Sequence, residues 1–346
     1  MATRKILVTG GAGYIGSHTV VELFNAGYVP IIIDDFSNSE KSAIKGIEKI
    51  LGQSVKLYIG DCNDSSFLHK VFKEEGEISG VIHFAAFKAV GESVNEPLKY
   101  YQNNIGSLLS VLEAMKTFNI TDIVFSSSCT VYGEPEELPV TEDSPIQKAT
   151  SPYGNTKQIC EEILYDEAQS MSTTIKAIAL RYFNPVGAHP SANIGELPLG
   201  TPNNLVPYVT QTAAGLRKEL TVFGNDYNTV DGTCIRDYIH VVDLAKAHVK
   251  AIDYLSQKEN QNLYDTFNIG TGKGNSVMEV INTFEQISGT KLHYAIGPRR
   301  TGDVEKVYGD VSKAKEVLNW KSAFTLNDAL IDAWRWEKEQ RKHTSL

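Results

Sequence analysis

What the chain lacks narrows the field first. It carries four cysteines in 346 residues, Cys62, Cys129, Cys160 and Cys234, widely scattered. No pair has metal-ligand spacing and nothing builds a disulfide framework, so a reducing compartment is the simple expectation. The eight histidines form no H-x-x-x-H or similar cluster, and no protein-bound metal is expected. No apolar run approaches the roughly 20 residues of a membrane span. Met1-Ala2-Thr3-Arg4 runs straight into an apolar strand pattern, which predicts no signal peptide. Positive charge is in deficit: 33 Lys and Arg against 42 Asp and Glu leave a net charge of -9. That balance argues against nucleic acid as a partner and suits a soluble cytoplasmic protein. Internal repeats and low-complexity segments are absent as well.

What is present reads as an ordinary globular enzyme, 42% hydrophobic and 22% charged, long enough for two lobes. Strand patterns at Lys5–Thr9, Val29–Ile33, Val55–Gly60, Gly80–Phe84, Asp122–Phe125 and Lys176–Leu180 alternate with helical patterns near 17–26, 40–51, 64–75, 97–118 and 153–170. Such alternation predicts βαβ units: an α/β fold with a Rossmann-type, doubly wound parallel sheet. Residues 184–236 are rich in Asn, Pro and Gly and lack long periodic runs, a stretch too long for a simple connector. Helical periodicity returns at 241–255, 277–288 and 326–339. The predicted organisation is a dinucleotide-binding domain over 1–184 and a smaller mixed α/β substrate lobe over 185–346, with segments near 237–270 packing back on the first.

The first chemical signal is Gly10-Gly11-Ala12-Gly13-Tyr14-Ile15-Gly16, between strand and helix. Glycines at 10, 13 and 16 let backbone N–H groups approach a pyrophosphate at the positive end of the helix. Asp34 ends the second strand, about where an acid grips the adenine ribose hydroxyls. No arginine adjoins it to accept a 2′-phosphate, which favours NAD over NADP. Asp61 follows the third strand, in a position to approach the adenine. His83 reads as a strand residue packed in place.

The second signal is Phe125-Ser126-Ser127-Ser128-Cys129-Thr130, at the carboxyl end of a strand, the edge that faces the ligand crevice in an open parallel sheet. The third is Tyr153 and Lys157, one helical turn apart and therefore on one face. An ammonium beside a phenol favours the phenolate, so the expectation is a lowered tyrosine pKa and a general base near neutral pH.

Together these segments resemble the extended short-chain dehydrogenase/reductase family, from Ile6 to about Trp336. Val8 to His18 is shared widely among its sugar-nucleotide enzymes. Phe84 to Ser93, Arg181 to His189 and Gly232 to Val241 are closer to its sugar-nucleotide 4-epimerases. The resemblance implies reversible C4 epimerisation of UDP-galactose and UDP-glucose through a 4-keto intermediate and transient NADH. It implies Tyr153 as base, with Lys157 lowering its pKa and Ser128 bonding the sugar 4-hydroxyl. It implies tightly bound NAD, contacted by Gly10, Gly13, Tyr14, Ile15, Gly16, Asp34, Asn38, Ser39, Asp61, Cys62, Phe84, Ala85, Lys88, Asn103, Tyr153, Lys157 and Tyr182. For the UDP-sugar it implies Ser128, Tyr153, Asn184, Asn204, Phe223, Arg236, Arg300, Asp303 and Val307, the two arginines on the diphosphate. It also implies a homodimer through helices near 97–118 and 153–170. Family members carry either tyrosine or a small residue where this chain has Val307, so N-acetylated UDP-hexoses are expected substrates too. Cys129 departs from the alanine usual after the three serines.

Three readings stay open beside this one. A 4,6-dehydratase needs an Asp-Glu pair where Cys129 and Thr130 stand. Another NAD-dependent UDP-sugar-modifying enzyme of the family is the second. A non-catalytic NAD-binding regulator is the third.

Overall fold

A computed structural model describes residues 4–172, 174–258, 262–300 and 303–344. Its centre is a seven-stranded sheet. Strands β1 (Lys5–Thr9), β2 (Val29–Asp34), β3 (Lys56–Ile59), β4 (Ile78–His83), β5 (Asp122–Ser126) and β6 (Lys176–Tyr182) are joined by a late strand, Leu263–Ile269. The order across the sheet is β3, β2, β1, β4, β5, β6 and then the late strand, every pair parallel.

Side-chain alternation divides the sheet's apolar residues between two cores, as the period-2 geometry of a strand requires. Ile6, Val8, Ile32, Ile82, Val124 and Ile178 face one way, under α1 (Tyr14–Asn25), α2 (Lys41–Leu51) and the helix Val241–Ser256. Leu7, Ile31, Ile33, Val81, Ile123 and Phe125 face the other, under α3 (Ser65–Glu75) and, beyond the short α4 (Val90–Asn95), α5 (Pro97–Thr117) and α6 (Pro152–Gln169). Both sets are buried.

The helix starts follow local chemistry. Asp64 caps α3 by accepting from the Ser66 and Phe67 amides, and Ser151 caps α6 by accepting from Gly154, with Pro152 at the first helical position. Helix α1 is different: it starts from Gly13 with no side-chain cap and no acid in its first turn. Its leading N–H groups stay available to an anion.

The second lobe packs the helices Leu205–Ala213, Val277–Ser288 and Leu326–Thr344 around Val206, Val209, Val280, Ile281, Phe284 and Leu330. The chain also re-enters the first lobe. Leu263–Ile269 extends the sheet beside β6, with Phe267 opposite Leu180, and Leu244, Ala247 and Ile252 join the first core.

Strand order reverses at β1, whose neighbours are β2 on one side and β4 on the other; Thr9 lies opposite both Ile33 and His83. This switch point opens a crevice at the carboxyl ends of the strands.

Candidate active site

The loop leaving β1 forms one wall of the crevice. Gly10 has φ +69°, and a Cβ there would lie 2.9 Å from the Ala85 amide nitrogen. A Cβ on Gly16 would run into the Gly10 carbonyl oxygen. Backbone therefore passes where side chains cannot, and the crevice is bounded by main-chain N–H groups.

Asp34, at the end of β2, is 7% exposed. Its carboxylate accepts from Ala12 N at 2.9 Å, from Phe36 N at 3.0 Å and from Ser39 Oγ at 2.7 Å. Those bonds tie the glycine loop to the loop after β2 and leave an acid at the cleft edge. Asp61 Oδ1 accepts from Asn63 N at 2.8 Å, and the buried Cys62 thiol beside it is pushed well up by desolvation. On the opposite wall Phe84 packs on His248, ring centroids 4.6 Å apart.

Every residue expected to contact the dinucleotide lines this single cleft, Asn38, Lys88, Asn103 and Tyr182 included. Ser128, Asn184 and Asn204 line it too. A glycine-bounded groove with a buried acid at its end and no lining arginine suits a dinucleotide without a 2′-phosphate.

At the far end, Ser128 starts the short 3-10 turn Cys129–Tyr132, and its Oγ accepts from Thr130 N at 3.2 Å. Burial pushes the Tyr153 phenol up to about 12, although the neighbouring Ser128 hydroxyl favours the phenolate. Burial also lowers the Lys157 ammonium to about 8. This corrects the expectation of a lowered tyrosine. Lys157 Nζ donates to the Ser126 carbonyl at 2.5 Å. It lies 4.7 Å from the Phe125 ring centre and 5.9 Å from that of Tyr153. The cation is turned towards the β5 backbone, and desolvation of the phenol outweighs its influence.

The remaining residues expected at the substrate form a second group in the other lobe, outside the cleft lining. Asp303 holds both arginines, Arg300 Nη2 at 2.8 Å and Arg236 Nη2 at 3.8 Å. The Arg300 guanidinium lies 5.7 Å from the Phe223 ring centre. Val307 pairs with Arg236 across two short parallel strands. Val307 also packs with Val131, Tyr132 and Phe183, and Cys129 lies against the same cluster. The second group thus begins where the catalytic turn ends.

Two site residues escaped the sequence reading. Ser126 Oγ bonds Tyr182 OH, a role the serine run could have suggested. Glu196 accepts from Asn204 Nδ2 at 2.6 Å and pairs with Lys88 at 3.6 Å, joining the two lobes at the cleft mouth. No periodicity marks Glu196, and only the folded chain reveals it. Among the described residues no group of His, Cys, Asp or Glu could hold a metal ion, and no helix is long and apolar enough to cross a membrane.

Fold and crevice together are those of an extended short-chain dehydrogenase/reductase. A family model described as GDP-mannose 4,6 dehydratase matches residues 7–332. A UDP-glucose 4-epimerase of Dictyostelium discoideum is 51% identical over 333 residues, 96% of this chain and 95% of that protein. The crystal structure of UDP-glucose 4-epimerase from Bifidobacterium longum, in complex with NAD+ and UDP, matches with TM-score 0.93 at 47% identity, covering 97% of this chain and 99% of that one. The UDP-glucose-4-epimerase of Stenotrophomonas maltophila, with bound NAD and formylated UDP-arabinopyranose, matches with TM-score 0.94 at 44% identity, covering 98% and 99%. The chain belongs to the UDP-glucose 4-epimerase family.

Proposed function

We propose that this chain interconverts UDP-galactose and UDP-glucose by C4 epimerisation, with NAD held in the cleft. The observation that carries the reading is the Ser128–Tyr153–Lys157 set at one end of a glycine-bounded dinucleotide groove. NAD, when bound, supplies a reversible hydride acceptor and, in its oxidised form, a positive charge in the cleft. Gly10, Gly13 and Gly16 would pass its pyrophosphate, Asp34 its adenine ribose, and Asp61 and Cys62 would lie at the adenine end.

Tyr153 takes the proton from the sugar 4-hydroxyl and returns it after the sugar has presented its other face. Ser128 Oγ, beside Tyr153, orients that hydroxyl. Burial alone keeps the phenol protonated at neutral pH, so a phenolate depends on positive charge nearby, from Lys157 and from the oxidised cofactor. The hexose must turn within the site, so binding energy belongs on the UDP end, remote from C4. Arg236, Arg300 and Phe223 supply charge and an aromatic face for that end. A reduced cofactor that escaped would strand the keto sugar, so NAD is retained through turnover.

The dehydratase reading lacks its acid and base. Position 129 holds a thiol pushed up to about 12 by burial, and position 130 holds a threonine. The regulator reading leaves the buried catalytic set without a purpose.

Val307, packed under the catalytic turn with Val131 and Phe183, is a small residue at the position where a tyrosine would crowd the C2 substituent of the sugar, so UDP-N-acetylgalactosamine is proposed as a second substrate. Val307→Tyr should reduce its turnover at least tenfold while UDP-galactose is spared, as coupled assays on both substrates would report. Equal losses on both would reject the pocket assignment. The chain works as a cytoplasmic homodimer: Val94, Leu98, Leu109 and Tyr165 on α4, α5 and α6 are 59%, 72%, 45% and 51% exposed. A second copy would cover them, and light scattering at twice the 38.1 kDa chain mass checks it.

Proton NMR of the purified protein with UDP-galactose and no added NAD tests the main reading. Growth of the UDP-glucose anomeric signal, with no other product, is expected. No conversion even after NAD is supplied would reject it.

A further inference from the structure

Three consecutive serines face three residues spaced one turn apart on α6. The Ser126 carbonyl accepts from Lys157 Nζ at 2.5 Å, and the Ser128 side chain lies beside Tyr153. Between the two in sequence, Ser127 Oγ donates to Glu161 Oε1. Residues 153, 157 and 161 share one helix face, so each serine meets that face, in the order 157, 161, 153. Two of these contacts involve the groups assigned to chemistry. The third has no part in the function derived above, and Ser127 is fully buried, away from the cleft lining.

Glu161 is itself held hard. Arg181 on β6 donates to it through Nη2 at 2.6 Å and through Nε at 3.0 and 3.2 Å. Tyr264 OH on the late strand adds a bond at 3.3 Å. Arg181 continues to Tyr132 OH at 3.2 Å, and Tyr132 OH donates to Asn268 Oδ1 at 2.6 Å. The carboxylate is therefore fixed against the sheet, not only against its own helix. Both side chains of the Glu161–Arg181 pair are almost wholly buried, 8% and 7% exposed. A buried ion pair is a poor way to gain stability, because desolvation offsets its attraction. What such a pair does supply is direction, since bidentate geometry admits one orientation.

We propose that Glu161 is a positioning residue for catalysis: through Ser127 it sets the height of the serine turn against α6, and so the alignment of Ser128 with Tyr153 and of Lys157 with the β5 backbone. This rests on the epimerase reading. Ser128 must reach both the phenol and the sugar hydroxyl, and a shift of a few tenths of an ångström in the turn degrades proton transfer without touching the UDP or dinucleotide contacts.

The test is a comparison of three proteins carrying their bound NAD. Ser127→Ala removes the Ser127–Glu161 bond and leaves the Glu161–Arg181 pair intact. Ser127→Ala/Glu161→Met/Arg181→Met replaces that bond and the pair with apolar side chains of similar bulk, so no charge is stranded. Glu161→Gln keeps an acceptor for Ser127. For Ser127→Ala and for the triple variant, kcat on UDP-galactose should fall about tenfold or more. KM, the NAD retained on gel filtration and the cooperative thermal transition should stay close to wild type. Glu161→Gln should lie between wild type and Ser127→Ala. Wild-type kcat in Ser127→Ala would overturn the proposal. So would a parallel loss of kcat, NAD retention and thermal stability, the signature of a merely structural role. Absence of turnover in the unmutated protein would instead reject the epimerase reading.

Discussion

Burial draws Tyr153 and Lys157 towards their neutral forms, the phenol up to about 12 and the ammonium down to about 8. The groups facing Lys157 explain why it holds charge at all below that point. The Ser126 carbonyl and the Phe125 ring accept it from β5. Cys160 and Glu161 support it from its own helix, while His83 on β4, itself held neutral with a pKa of about 3, adds no opposing charge. Lys157 is charged below about 8 and neutral above it, so kcat/KM should fall as pH rises through that region. Lys157→Arg, slower but permanently charged, should lack that limb in a pH–rate profile; an unchanged limb would contradict the assignment. Tyr153→Phe should lower kcat by roughly a thousandfold while NAD stays bound, read by turnover and by cofactor absorbance. At this scale the sequence was informative wherever spacing carries chemistry: the glycine triplet, Asp34, and Tyr153 with Lys157. It could not give the direction of the tyrosine shift, because desolvation depends on what surrounds the ring in three dimensions.

Elements with regular periodicity were legible. Strands β1, β2 and β5 and helices α2 and α3 lie within a residue or two of their expected limits. The strand Leu263–Ile269 was not expected as a strand, because Asp265, Thr266 and Asn268 interrupt its apolar pattern. Its pairing with β6 and the bond from Tyr132 to Asn268 override that pattern. The α4 turn is too short to show a period. The buried histidines also carry a pH liability. His18 on α1, His83 at the end of β4 and His248 on Val241–Ser256 are buried, with pKa values lowered to about 3, 3 and 4. Their unfolded rings titrate near 6.5. Between those values the unfolded chain binds more protons, so stability is present above about 6.5 and is lost as pH falls towards the folded values. Each ring contributes at most roughly 1.4 kcal/mol per pH unit. Part-buried Glu22 and Glu142 and buried Asp243, whose carboxyls are pushed up, work in the opposite sense. The urea midpoint should drop between pH 6.5 and 4.5, and less steeply in His248→Gln. An equal slope in the variant would show that the ring does not drive the loss.

Over the whole molecule, chemistry and grip are separated. The dinucleotide groove and the Ser128–Tyr153–Lys157 set belong to the sheet, while Phe223, Arg236, Arg300 and Asp303 belong to the other lobe. Sequence alone named both groups and assigned them to separate lobes; it could not say that Val307 and Arg236 meet through strand pairing. Separation has a kinetic consequence. Arg300→Ala should raise KM for UDP-galactose about tenfold or more and change kcat little, because a remote contact binds ground and transition states alike. Initial-rate kinetics would check it, and a fall in kcat at constant KM would place Arg300 at the reacting centre instead.

The most direct test of epimerisation on a retained cofactor is to follow UDP-galactose deuterated at C4, with no NAD added. Mass spectrometry and NMR of the product should find UDP-glucose carrying the deuterium at C4. Product with hydrogen there, drawn from solvent, would contradict a reaction in which the hydride leaves and returns within one closed site.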